Sequence, residues 1–140
     1  MTATLTAHED AMMGAVEAIG VFKQLDSIGR KDTPGPIIYP AGFIYFLFER
    51  LVTESPRPVY DRFFDVIVKV KNLRSEKDAA DDAYSIMDSI KAAVVGKDFG
   101  LTGVGPFVCM GAQLGEYEGG VITYVMGFRA KAYMPVPSRS

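Results

Sequence analysis

Between residues 59 and 96 the hydrophobic pattern changes from a period of two to a helical period, which predicts a long strand followed directly by an amphipathic helix. In the strand, Phe64, Val66, Val68 and Val70 share one face, and Asp61, Phe63, Asp65, Ile67, Lys69 and Lys71 share the other, because side chains alternate across a pleated strand. The first is a core face. The second mixes apolar side chains with charges of both signs, as on a sheet surface that meets another protein as well as water. In the helix, Ala79, Ala83, Ile86, Met87, Ile90 and Val94 form one apolar stripe. Ser75 is placed to cap it, with Asp78 as capping-box partner, and Gly96 stands where a left-handed exit belongs.

The same reading extends along the chain. Leu5, Met12, Val16 and Ile19 predict a helix over 7–19, with Thr6 as its cap and Glu9 and Asp10 in its first turn. Residues 21–28 read as a short strand, and 29–40, with Gly29, Pro34, Gly35, Pro36 and Pro40, as a loop holding an extended segment at 37–39. Residues 42–54 read as a central strand, apolar on both faces along its first half. Pro56 and Pro58 break pairing, so 59–73 returns antiparallel and the two strands make a long hairpin. A glycine-rich loop over 100–105 leads to a strand at 107–114 and a turn at 115–120 that presents Glu116, Tyr117 and Glu118. The last strand, 121–133, sets Ile122, Tyr124, Met126, Phe128, Ala130 and Ala132 against Thr123, Val125, Arg129, Lys131 and Tyr133. A flexible, proline-containing tail is expected from about residue 135.

This order of elements predicts an α+β fold, one domain over 1–140, with an antiparallel sheet of about four to five strands covered on one face by two helices. The other face is left over. If the hairpin strand and the last strand are neighbours, Lys69, Lys71, Arg129 and Lys131 project from it, with Phe63, Ile67, Val125 and Tyr133 between them, as a candidate partner surface.

Composition narrows the function. The 140 residues are 49% hydrophobic and 23% charged, as expected of one globular domain, and a net charge of -2 gives no general attraction to nucleic acid or anionic membrane. A single cysteine, Cys109, excludes an intrachain disulfide and a thiolate-rich metal site, and fits a reducing cytoplasm. Residues 1–10 lack the charged and apolar regions of a signal peptide, and the longest apolar run, 42–48, is far short of the roughly 20 residues of a membrane span. The expectation is an unexported chain without a membrane segment.

Candidate chemistry is thin. His8 is the one histidine, so a histidine dyad or multi-histidine metal site needs a second chain, and the plain reading is a polar residue in the first helical turn. Cys109 lies between Val108 and Met110 on an expected strand, where a thiol packs and stays inert. Asp78, Asp81 and Asp82 diverge around a helix and read as a solvated acidic face. The glycines at 100, 103 and 105 match neither a phosphate loop nor a dinucleotide fingerprint and lead into a strand. Glu116 to Glu118 fit either a hairpin tip used in assembly or a solvated loop. The four basic residues favour protein contact or solvation over DNA, because no aromatic stacking pattern accompanies them. No cofactor or metal is expected, and no enzyme.

The stretch from Phe63 to Glu76, a strand closing in Asn72-Leu73-Arg74 and leading to an alanine-rich helix with Tyr84 and Ile86, resembles the Mu-like phage and prophage tail-protein family. Val95-Gly96-Lys97-Asp98-Phe99-Gly100-Leu101, the closing strand around Tyr124 to Arg129, and the N-terminal helix with Glu9 and Asp10 extend the similarity over most of the chain. What the resemblance implies is a tail terminator, a virion protein forming a homohexameric ring at the head-proximal end of a contractile tail. Such a ring stops tube and sheath polymerisation, presents a surface to neck or connector proteins, and lets DNA pass its lumen without sequence-specific binding. On that reading Phe63, Ile67, Lys69, Lys71, Arg129, Lys131 and Tyr133 are candidates for ring or lumen contacts, and Glu116, Tyr117 and Glu118 for axial contact. Alternatives are another head-completion or neck protein, or a ferredoxin-like ligand-binding or enzymatic domain with a site between subunits.

Overall fold

The computed structural model describes residues 1–28, 36–54 and 56–135. Gly29, Pro34 and Gly35 of the expected loop, Ser55 of the hairpin turn, and the tail from 136 onward lie outside the described residues. The elements are α1 (Leu5–Glu17), β1 (Gln24–Ser27), β2 (Ala41–Thr53), β3 (Val59–Lys71), α2 (Glu76–Val94), β4 (Val108–Glu118) and β5 (Val121–Tyr133). The strands form one five-stranded sheet in the order β1-β2-β3-β5-β4, and the fold is α+β. Four strands alternate antiparallel. β1 is the exception and runs parallel to β2, because the amides of Lys23 and Gln24 both donate to Pro40 O and so set the two strand starts side by side.

Local chemistry explains most of the element ends. In α2 the amide of Asp78 donates to Ser75 Oγ at 3.0 Å, and Ala79, Ala83, Ile86, Met87, Ile90 and Val94 are all buried, as the stripe requires. The Asp78 carboxylate faces Arg74 at 4.0 Å, an ion pair on the exposed side of the first turn. Helix α1 starts two residues before the expected place. Thr4, not Thr6, is its cap and accepts from the amide of Ala7 at 3.1 Å, so Glu9 and Asp10 fall beyond the first turn. Either hydroxyl has the chemistry of a cap, and in the structure Ala3 is tied down through its amide to Thr102 O and through its carbonyl to Arg62, just before Thr4.

The expected turn at 115–120 is also shorter in the structure. Glu116, Tyr117 and Glu118 belong to β4 and pair with Thr123, Ile122 and Val121 of β5. Gly119 and Gly120 alone make the turn, with φ of +60° and +79°. Two successive residues at positive φ form the tight connection whose twist matches an antiparallel pair, so the strands run right up to it.

One face of β3 and β5 meets the helices and supplies the core, where Phe64, Phe107, Phe128, Met126, Ile90 and Ile44 are fully buried. Each such side chain stabilises the fold by about 1.5–3 kcal/mol relative to exposure. β2 divides its length between two environments. Ala41 to Ile44 are buried beside β1, whereas residues 47–53 are exposed along a hairpin that extends past the helices.

A buried polar cluster fastens α1 to the sheet. His8, in the first turn as expected, is fully buried, with its ring 5.2 Å from that of Phe64 and 4.8 Å from that of Phe107. Glu9 is buried too and accepts from Ser27 Oγ of β1 and, at 3.2 Å, from the amide of Phe46 in β2. Burial is affordable because the carboxylate is met by donors.

Candidate functional site

The sheet face opposite the helices carries the candidate surface, and strand register fixes how its residues assemble. Side chains of directly paired residues share a face, so the face reads as successive rows. Lys71 lies beside Val121 and Glu118; Lys69 beside Thr123 and Glu116; Phe43 beside Ile67, Val125 and Gln113. The next rows are Tyr45, Asp65, Gly127 and Gly111, then Phe48, Phe63, Arg129 and Val108, then Arg50, Asp61 and Lys131, and finally Val59 with Tyr133.

All seven ring or lumen candidates therefore occupy one face, but their basic residues do not gather. Because β3 and β5 are antiparallel, Lys69 and Lys71 stand at one end and Arg129 and Lys131 at the other. Lys69 and the Arg129 row are six residues apart along β3, roughly 20 Å at ~3.3 Å per residue. Each basic pair also has acidic neighbours. Lys69 Nζ is 4.0 Å from Glu116 and donates to Thr123 Oγ1 at 3.2 Å, while Lys131 pairs in register with Asp61. The candidate axial residue Glu116 thus adjoins the candidate lumen residue Lys69, so the two sets meet at that end of the face.

Phe63 is only 6% exposed. Phe48 stacks on it with ring centroids 4.4 Å apart, and the Arg50 guanidinium lies 5.5 Å above its ring while reaching Asp61 at 3.8 Å. The surface at this point is Phe48 and Arg50, which the sequence reading assigned to a central strand. Ile67 is half-buried, and Tyr133 is exposed beside Gly105 at the edge of a groove with Pro106, Val108 and Arg129.

At the centre of the face Asp65, Gly127, Gly111, Met110 and Gln113 line a shallow depression of about 340 Å³. Tyr45 donates to Asp65 at 3.0 Å, and its hydroxyl pKa is raised by burial first and then by that carboxylate. The hydroxyl thus holds its proton more tightly than usual, and the bond fixes both side chains. On the helix side, the Tyr124 hydroxyl donates to Tyr84 at 3.3 Å, which pushes its pKa to about 12. Among the described residues, no three His, Cys, Asp or Glu side chains are placed to hold a metal, and no helix is long and apolar enough to cross a membrane. Cys109 is half-buried, with its Sγ 3.8 Å from Gly111 O.

The sequence reading missed a second feature, the apolar side chains on the sheet's two edges. Leu47, Phe48, Leu51 and Val52 of β2 are exposed, as are Val108, Met110, Leu114 and Tyr117 of β4. In the sequence they read as ordinary strand-forming residues. The available signal was position, since these residues lie past the length that β1 and the helices can cover.

The fold has a counterpart in a virus-like particle. A chain of the solved structure "Virion of native gene transfer agent (GTA) particle" matches it with a TM-score of 0.64, covering 92% of this chain and 94% of that one, at 17% sequence identity. At that identity the likeness is one of fold. No family model matches the sequence, and no curated protein does. The likeness extends over most of both chains.

Proposed function

We propose that this chain is a non-catalytic structural virion protein, the terminator of a phage-type tail. The observation that carries the reading is the fold match to a chain of the gene transfer agent virion, which runs nearly end to end on both sides. The resemblance of residues 63–76 and 95–101 to Mu-like tail proteins supplies the finer role. The chain acts as one domain and assembles with copies of itself into a ring, homohexameric by that resemblance, at the head-proximal end of the tail. Its further partners are the tube and sheath proteins below and a neck or connector protein above, with DNA passing through the lumen.

A tube grows because each added ring re-creates the surface it bound, so a terminator binds that surface without reproducing it. A face that mixes apolar and charged rows suits this task. Phe63, reached through Phe48, and Ile67, Lys69, Lys71, Arg129, Lys131 and Tyr133 serve ring or lumen contacts. Glu116, Tyr117 and Glu118, beside the tight Gly119-Gly120 turn, serve axial contact. Deleting the gene in its host particle tests the role. Overlong tails or polysheath by electron microscopy are the expected result, and tails of normal length overturn it.

A further inference from the structure

Each end of the sheet leaves a row of backbone groups without a strand beside it. On β2, β1 pairs only as far as Ile44, Ile28 donates to Ile44 O at 3.1 Å, and the Glu9 carboxylate takes the Phe46 amide. Past that point residues 47–53 have β3 on one side and no strand among the described residues on the other. On β4 the whole length Val108–Glu118 pairs with β5 alone. Such edges are templates for another chain, and proteins that stay apart blunt them with charges, bulges or prolines.

These edges carry bulges and, at Glu49, Arg50, Glu116 and Glu118, charges, but the residues at the bulges are not those that blunting alone calls for. The register shifts leave one extra residue at Leu47 and Val52 in β2 and at Met110 and Gly115 in β4. A bulge that only disrupted pairing would be served by glycine or a polar residue. Three of the four are instead large apolar side chains, with Leu47 46%, Val52 48% and Met110 50% exposed, and Leu114 close by at 52%. Beside β4, the end of α2 adds Ala92 and Val95 to a groove that includes Val108, Cys109 and Met110.

We propose that copies of this chain associate head to tail by strand pairing, the free stretch 47–53 of one copy lying antiparallel along β4 of the next. This deepens the ring reading above and rests on it. Strand direction allows it: β2, β3, β5 and β4 alternate, so β4 runs opposite to β2, and a β2 placed beyond β4 continues the alternation with all helices on one side. Charge selects the same polarity. Antiparallel docking brings the start of β4, beside Arg129 and Lys131, against the end of β2 with Glu54, whereas parallel docking sets Glu116 and Glu118 against Glu54. A two-fold pairing of β4 with β4 satisfies backbone groups too, but it leaves Leu47, Phe48, Leu51 and Val52 uncovered. Head-to-tail pairing covers both edges, and because the edges differ it continues until the ring closes.

The test uses two surface variants of the full chain, each checked for native circular dichroism: Met110→Lys with Leu114→Lys on β4, and Leu47→Lys with Val52→Lys on β2. Sizes are read by light scattering over a wide concentration range. Wild type is expected to form assemblies larger than a dimer, each variant alone to stay monomeric, and their mixture to form a one-to-one complex and nothing larger, because one sound edge remains on each. A β2 variant that settles as a dimer establishes the two-fold alternative. That result, either variant assembling like wild type, or a wild type that is monomeric throughout overturns the proposal. Failure of the terminator role reads differently: the edges still pair, but tails of the deletion strain have normal length.

Discussion

His8 Nδ1 and Arg62 Nη1 sit 3.3 Å apart inside the core, and the same Arg62 nitrogen donates to Ala3 O at 2.8 Å. A guanidinium offers only donors, so Nδ1 accepts and the imidazole is neutral with its proton on Nε2. Burial first, then the Arg62 charge, lower the His8 pKa from 6.5 to about 4. Arg62 is itself held below its ordinary value by burial, with Glu49 at 3.6 Å opposing the shift.

A pH dependence follows. Below 6.5 the unfolded chain takes up a proton at His8 that the folded chain refuses until the pH nears 4, so this residue's contribution to stability falls as pH drops through that window. The whole effect is at most about 3 kcal/mol. Urea unfolding of wild type and His8→Gln at pH 7 and pH 4 measures it. Wild type is expected to lose more stability over the interval than the variant, and parallel losses contradict the assignment.

Phe63 should behave as a core residue despite lying on the helix-free face. Phe63→Ala is expected to destabilise by about 3 kcal/mol and Phe48→Ala by about 1 kcal/mol. The double variant should recover about 0.5–1.5 kcal/mol of coupling from the lost ring pair. Denaturant midpoints of the four proteins give that number directly. Full additivity would mean that the two rings do not stack in solution.

The two turn glycines are not equivalent. Gly119 has nothing within 4 Å of where a Cβ would stand, and asparagine tolerates its φ of +60°, so Gly119→Asn should leave the melting temperature nearly unchanged. At Gly120 a Cβ would sit 2.7 Å from Leu73 Cδ2 with φ at +79°, so Gly120→Ala should cost about 1–2 kcal/mol. Thermal denaturation of both variants tests the contrast, and equal melting points would contradict it.

Ser75 carries a purely local prediction. Removing its hydroxyl leaves the Asp78 amide without its acceptor at the start of α2, and Ser75→Ala is expected to lose about 1 kcal/mol. Hydrogen exchange in the first turn should quicken in the same variant. Unchanged exchange there would show that the cap is not formed.

What the sequence made legible was chiefly local. The α2 stripe, its serine cap and the limits of β5 follow from side-chain periodicity and turn chemistry within a few residues, and all appear in the structure. The faces of β3 were legible for the same reason. Which residues became neighbours across strands was not, because a period of two fixes a face without fixing direction or register. Antiparallel pairing thus separated Lys69 from Arg129 and brought Glu116 to Lys69. Glu9 was hidden by its type: a carboxylate in an N-terminal helix reads as solvated until Ser27 and Phe46 are seen to donate to it.

The long β2–β3 hairpin has a mechanical side. β3 is held by β2 along one side and by β5 along the other over its full length. A pull on the hairpin tip along the strands draws β2 and β3 together and loads the β3–β5 ladder in shear, so many hydrogen bonds share the force at once instead of opening one after another. The protruding arm therefore behaves as a stiff lever anchored through the middle of the sheet, and tension at its tip reaches the core before the arm peels away.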